Sequence, residues 1–111
     1  MARLTSDFWV SAYLRQAAHD GLVAVLRRRG AAEAGAIFVK LDRLDRTAAL
    51  YGPAPQALAE DDGVRRFQLL LDGDPLSVEE RMARELRFDS DLWLVEIENR
   101  AGDPLLDLVE S

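Results

Sequence analysis

The stretch Gly35-Ala-Ile-Phe-Val-Lys-Leu-Asp42 decides how the fold class is interpreted. Ile37, Val39 and Leu41 point to one face of an extended strand, and the residues between them point to the other. A turn at 42–46 follows, and the chain then returns through a second β-rich segment at 47–51. The stretch therefore predicts a strand that pairs with its neighbour in the sequence.

Outward from this stretch, three further segments are typical of strands, at 22–29, 64–71 and 92–99. Two helices are predicted as well. Trp9, Tyr13 and Ala17 recur at i+4 spacing and indicate a helix over 6–20. Ser77 and Glu80 form a capping-box pattern that opens a second helix. The predicted order is α-β-β-β-β-α-β, followed by a short apolar tail at 105–109.

Adjacent strands with short connections favour antiparallel pairing, so the fold class is α+β with a mostly antiparallel sheet. A length of 111 residues suits a single domain over 1–111. We expect both helices to pack on one face of the sheet. The other face would then be solvated and polar, with cross-strand ion pairs among Lys40, Asp42, Arg66, Gln68, Glu96 and Glu98.

Composition limits the possible functions. The chain has no cysteine and one histidine, which excludes thiol chemistry and any site that needs two imidazoles. Its 14 basic and 20 acidic residues give a net charge of −6, which disfavours binding to nucleic acid. No apolar run is long enough to span a bilayer, and no targeting segment is visible. We therefore expect a cytoplasmic protein without membrane attachment or cofactor.

The only basic cluster is Arg27-Arg28-Arg29, followed by Gly30. A glycine-containing loop after a basic strand is attractive for binding phosphate. Successive strand residues point to opposite faces, however, so three arginines in a row do not make one patch. The alternative interpretation is an edge strand that charge protects from unwanted pairing.

The acids Glu96 and Glu98 lie two residues apart on a predicted strand, hence on the same face, about 7 Å apart. Such a pair can share a hard cation or divide the roles of acid and base. No third ligand is placed by the sequence, and no catalytic residue is assigned. A solvated strand face is the alternative.

Phe8 and Trp9 are neighbours on the first predicted helix, so one of them can escape the apolar stripe. An exposed aromatic side chain would indicate a surface for a partner. We expect the helix to be held on the sheet by Trp9 and Tyr13, with Trp93 on the sheet side.

Several segments together resemble a family of small uncharacterised proteobacterial proteins, known only as a domain of unknown function. They are Thr5 to Leu14 with its Phe-Trp-Val core, Arg29-Gly30, Ala34-Gly35, Tyr51-Gly52-Pro53, and Asp89 to Glu98 with its Asp-x-Asp-Leu-Trp core. The resemblance implies a cytoplasmic single-domain protein and supplies no activity, cofactor or catalytic residue.

These observations favour a non-enzymatic binding or protein-interaction domain that forms a homodimer or binds a protein partner. Two alternatives stay open. One is a small metal-dependent hydrolase or nuclease-like enzyme that uses the paired carboxylates. The other is a phosphate or nucleic-acid binder that uses the strand Arg27–Arg29.

Overall fold

The stretch that decided the fold class lies at the centre of the sheet, as strand β2 (Ile37–Asp42). The computed structural model describes residues 4–55, 58 and 62–109. The remaining elements are α1 (Ser6–His19), β1 (Val23–Arg28), β3 (Ala48–Pro53), β4 (Arg66–Gly73), α2 (Pro75–Phe88), β5 (Trp93–Glu98) and β6 (Asp107–Leu108). The predicted α+β class is confirmed, and the tail adds one short strand, β6, to the predicted order. The predicted loop at 53–63 falls partly outside the described residues.

In the described part of the chain, six strands form one sheet in the order β1-β5-β2-β3-β4-β6. Among the described residues, β1–β5, β2–β3 and β3–β4 pair antiparallel, whereas β2–β5 and β4–β6 pair parallel. The sheet is thus mixed, although most pairings are antiparallel as predicted. The parallel pair arises because β5 returns from α2 and inserts between β1 and β2, with Trp93 opposite Ile37 and Glu98 opposite Asp42.

The two helices lie on opposite faces of the sheet, so the prediction of one shared face was wrong. On one side, Val10, Tyr13 and Ala17 of α1 pack on a core that includes Ile37, Val39, Leu41, Val95 and Ile97. On the other side, Val78 and Met82 of α2 pack on Phe38, Leu50 and Leu94. The central strands β2 and β5 are buried on both faces over most of their length, so each face of the sheet is covered by a helix of its own.

The start of α2 also differs from the prediction. Asp74 is the N-cap and Pro75 the first helical residue, so the N-cap lies three residues before Ser77. The Asp74 carboxylate accepts hydrogen bonds from the Ser77 N–H at 2.9 Å and the Ser77 hydroxyl at 2.8 Å. The aspartate side chain accepts hydrogen bonds from the free N–H groups of the first helical turn, and proline suits the first position because its missing N–H would have no helical partner.

Helix α1 is anchored as the aromatic spacing predicted. Trp9 stacks on Tyr13 with ring centroids 5.0 Å apart, and it contacts Phe67 of β4 at 5.2 Å. The Tyr13 hydroxyl donates to the Pro104 carbonyl at 2.6 Å, and burial raises the pKa of Tyr13 well above its ordinary value. Trp93 is 1% exposed in the same core. Neither described helix is long and apolar enough to cross a membrane.

Candidate interaction surface

The first predicted binding residue, Arg27, joins β1, β5 and α2 in one ion-pair network. Strand β1 has a bulge between Leu26 and Arg28, and Arg27 is the residue without a direct partner in the register with β5. The Arg27 guanidinium donates to both oxygens of Glu79 at 2.6 and 2.9 Å, and to Glu96 at 3.1 Å. This bidentate geometry is the arrangement that arginine favours with a carboxylate.

Lys40 of β2 is the second cation of the network and lies between the sheet and α2. Its ammonium lies 2.6 Å from Glu79 and 3.8 Å from Glu96, and its side chain is 9% exposed. Lys40 was predicted on a solvated face, but α2 covers that face here. Hydrogen bonds from Arg27 and Lys40 lower the pKa of Glu79 to about 2. Buried between strand and helix, the Lys40 charge is compensated by these carboxylates.

The ion-pair network bears on whether Glu96 and Glu98 could serve as metal ligands. Glu96 accepts a hydrogen bond from Arg27 and lies near Lys40, so two cations already neutralise it. Glu98 lies opposite Val23 on one side and Asp42 on the other. Across residues 4–55, 58 and 62–109, no three acidic or imidazole side chains are grouped to hold a metal ion. The arrangement therefore fits a strand face with ion pairs better than a metal centre.

The other two arginines of the cluster take separate partners. Arg28 donates to the Ser90 carbonyl at 2.6 Å. Arg29 lies 3.4 Å from the Asp7 carboxylate, and its guanidinium is 5.3 Å from the centre of the Trp93 ring. The structure thus does not bring Arg27, Arg28 and Arg29 together as one basic surface, and the bulge in β1 lets Arg27 and Arg29 take partners on opposite faces.

The loop after Arg29 is held tightly between α1 and the start of β5. The Ser6 hydroxyl donates to the Gly35 carbonyl at 2.6 Å, and the Trp93 indole N–H donates to the Ala31 carbonyl at 2.8 Å. A Cβ atom on Gly30 would overlap the backbone of Leu92 at 2.6 Å, and one on Gly35 would lie 2.5 Å from the Asp91 carbonyl oxygen. Segments that carry the family resemblance therefore meet here and pack the loop.

The two neighbouring aromatics of α1 divide as their spacing allows. Trp9 is half-buried against Tyr13 and Phe67, whereas Phe8 is 56% exposed. Phe8 thus remains a surface residue that a partner can contact, and Trp9 belongs mainly to the packing of α1.

The exposed apolar face of the edge strand β1 was not predicted from the sequence. Val23 is 57% and Val25 49% exposed, and both lie on the α2 side of the sheet, opposite Glu98 and Glu96. Among the described residues, β1 pairs only with β5, so its outer edge is open. Strand order decides which strand is an edge, and the charged run at 27–29 was the one signal in the sequence.

Comparison with known proteins agrees with this architecture. A family model described as "protein of unknown function (DUF1491)" matches residues 4–107. A protein of A. tumefaciens, known from its solution structure, is 43% identical, with a TM-score of 0.84 over 98% of this chain and 97% of that one. A DUF1491 family protein from Caulobacter crescentus is 32% identical in its crystal structure, with a TM-score of 0.80 over 96% of this chain and 98% of that one.

The solution structure of a DUF1491 family protein from Caulobacter crescentus is also similar, with 32% identity, a TM-score of 0.79, and coverage of 99% of this chain and 100% of that one. No protein with a curated description matches the chain. The match to the family model and the identity to these structures lead to one conclusion: the chain belongs to the DUF1491 family.

Proposed function

We propose that this protein is a non-enzymatic interaction domain that self-associates through the open edge of β1. Two copies would pair their β1 strands antiparallel, so that the two sheets become continuous. The observation that carries the proposal is the exposed apolar pair Val23 and Val25 on a strand with a free edge. An unpaired strand edge is a template for another strand.

The regular part of β1 can pair with a second copy of itself so that apolar side chains face each other. The bulge limits regular pairing to the residues before Arg27, and the middle of that part is near Ala24. With Ala24 opposite its own copy, Val23 faces the partner subunit's Val25 and the reverse. Antiparallel residues that face each other lie on the same side of the sheet, so the valines form one apolar strip.

The charges at the two ends of β1 support the same orientation. Asp20 precedes the strand, and Arg28 and Arg29 follow its regular part. Antiparallel pairing brings the acidic end of one copy toward the basic end of the other, whereas parallel pairing would bring like charges together. A two-fold axis repeats both contacts.

The proposed interface is small. A short strand edge with four valines in all is below the roughly 800 Å² per partner of a stable standard interface. We therefore expect a dimer that dissociates on dilution. A cytoplasmic location is part of the proposal. It is supported by the absence of cysteine, because proteins of oxidising compartments are often stabilised by disulfide bonds.

The test is the solution mass of the protein as a function of concentration, measured by sedimentation equilibrium. We expect the wild type to approach twice 12.4 kDa at high concentration. Val25→Lys should keep the mass of a monomer, because it places two charges in the apolar strip. Leu69→Lys is the matched control, since Leu69 is 50% exposed at the other edge of the sheet and Val25 is 49% exposed.

Asp20→Arg tests the orientation. It should weaken the dimer without unfolding the protein, because Asp20 is exposed at the end of α1. A wild type that stays monomeric at its highest soluble concentration would refute the proposal. A dimer that survives Val25→Lys but is lost in Leu69→Lys would move the interface to the opposite edge.

A further inference from the structure

Near the opposite edge of the sheet, the outer side of strand β4 is paired only at its beginning in the part of the chain that the structure describes. There β6 pairs parallel with it, with Asp107 opposite Arg66 and Leu108 opposite Phe67. The Val109 N–H also donates to the Phe67 carbonyl at 2.9 Å. Within the described residues, no strand pairs with the outer edge of β4 from Leu69 to Gly73. An open length of edge therefore continues directly beyond β6.

A groove with a volume of about 470 Å³ lies beside this open edge, between Leu71 and one flank of α2. Three arginines of α2 line it. Arg81 is paired with Glu85 at 2.9 Å, whereas Arg84 and Arg87 are exposed and have no ion-pair partner among the described residues. Glu80 is the one acidic side chain in the lining. In a protein with a net charge of −6, this flank is therefore locally basic.

We propose that this edge binds an acidic segment of another protein, which adds to β4 as an extended strand beside residues 69–73. The short strand β6 already shows that this edge accepts an extended segment, and that its acidic residue lies opposite an arginine. The proposal concerns a second surface and is independent of the pairing at β1.

The two faces of the edge indicate the pattern of the partner. Leu69 lies opposite Tyr51, on the side of α1, and is 50% exposed. Arg84 and Arg87 lie on the other side, along the groove. Because strand side chains alternate, the fitting segment alternates apolar residues toward Leu69 with acidic residues toward the arginines.

The experiment measures binding of a labelled peptide of alternating valine and aspartate to the full chain by fluorescence anisotropy. The double variant Arg84→Ala, Arg87→Ala should bind it more weakly, by up to about 25-fold, because each exposed ion pair contributes up to about a fivefold change in affinity. Both positions are exposed on a helix that tolerates alanine, and a thermal melt checks the fold.

Arg15→Ala is the matched control, since Arg15 is an exposed arginine on α1 without an ion pair in the described part of the chain. It should bind as the wild type does. A peptide with lysine in place of aspartate should not bind. A peptide with proline in place of the central valine should bind more weakly, because proline removes a ladder hydrogen bond.

Three results would overturn the proposal. The first is that the wild type does not bind the alternating peptide, and the second is that the double variant binds it as tightly as the wild type does. The third is that the peptide with proline binds as tightly as the peptide with valine. The last result would indicate charge attraction without strand addition. A peptide-free oligomer that is lost in Leu69→Lys would instead assign this edge to a second copy of the chain.

Discussion

At the scale of single residues, Trp93 makes contacts with three separate parts of the molecule. Its ring lies in the core under α1, its indole N–H holds the loop at Ala31, and the Arg29 guanidinium lies over its face. Phe8, on the outside of the same helix, is 56% exposed. The two aromatic side chains should therefore differ strongly in what they contribute to stability.

We predict that Trp93→Ala lowers the free energy of unfolding by about 3–5 kcal/mol, the usual cost of removing a buried tryptophan. Phe8→Ala should change it by less than about 0.5 kcal/mol, because an exposed side chain leaves no cavity. Urea unfolding followed by circular dichroism measures both values. Equal stability of the two variants would contradict the position of Trp93 in the core.

At the scale of elements, α2 is attached to the sheet by an apolar contact and by charge. Val78 and Met82 supply the apolar part, and Glu79 reaches across to Arg27 and Lys40. Glu79 and Arg27 are 52 residues apart in the chain. The ion-pair network thus links an edge strand, a central strand and a helix that are distant in sequence.

We predict that Glu79 makes the stability of the protein dependent on pH. Its pKa falls from an ordinary 4.5 to about 2 in the folded protein. The carboxylate therefore stabilises the fold above about pH 4.5, and this contribution is lost as the pH falls toward 2. Glu79→Gln should lower the free energy of unfolding by about 1 kcal/mol at neutral pH, since solvent screens a half-exposed pair.

The measurement is urea unfolding of the wild type and Glu79→Gln between pH 7 and pH 3. The difference between the two proteins should shrink as the pH falls. Glu80→Gln is the control, because Glu80 is exposed on the next position of α2 without an ion pair in the described residues. A difference that stays constant over this range would show that Glu79 does not act through its charge.

At the scale of the whole molecule, net charge is the property that bears on binding to nucleic acid. The net charge is −6, and the arginines of the 27–29 cluster are bound to Glu79, Glu96, the Ser90 carbonyl and Asp7. Of the arginines of α2, only Arg84 and Arg87 lack an ion pair among the described residues, and two such cations are few beside a net charge of −6. The molecule as a whole repels a polyanion, although one flank can still attract a short acidic segment.

We predict no appreciable binding to duplex or single-stranded DNA at about 150 mM salt, because counterion release needs several unpaired cations on one surface. Anisotropy with a labelled duplex tests this. A submicromolar affinity that falls steeply with salt, and falls further in Arg27→Ala or Arg29→Ala, would contradict it. Such a result would mean that the arginine cluster rearranges to face the nucleic acid.

Much of the local structure could be predicted from the spacing of side chains. The strands at β2 and β5, the aromatic stripe of α1 and the burial of Trp93 follow from periods of two and nearly four residues. These properties depend on neighbours along the chain, which the sequence displays directly. Alternation does not account for the separation of Arg27 from Arg29, which lie on opposite faces beside the bulge in β1.

The tertiary structure alone decided the rest. Insertion of β5 between β1 and β2 made β1 an edge, exposed Val23 and Val25, and brought Glu96 to Arg27. The placement of α2 on the face opposite α1 buried Lys40, which the sequence had placed in water. Strand order and the cover of each face depend on contacts between distant segments, and a local period carries no information about which segments meet.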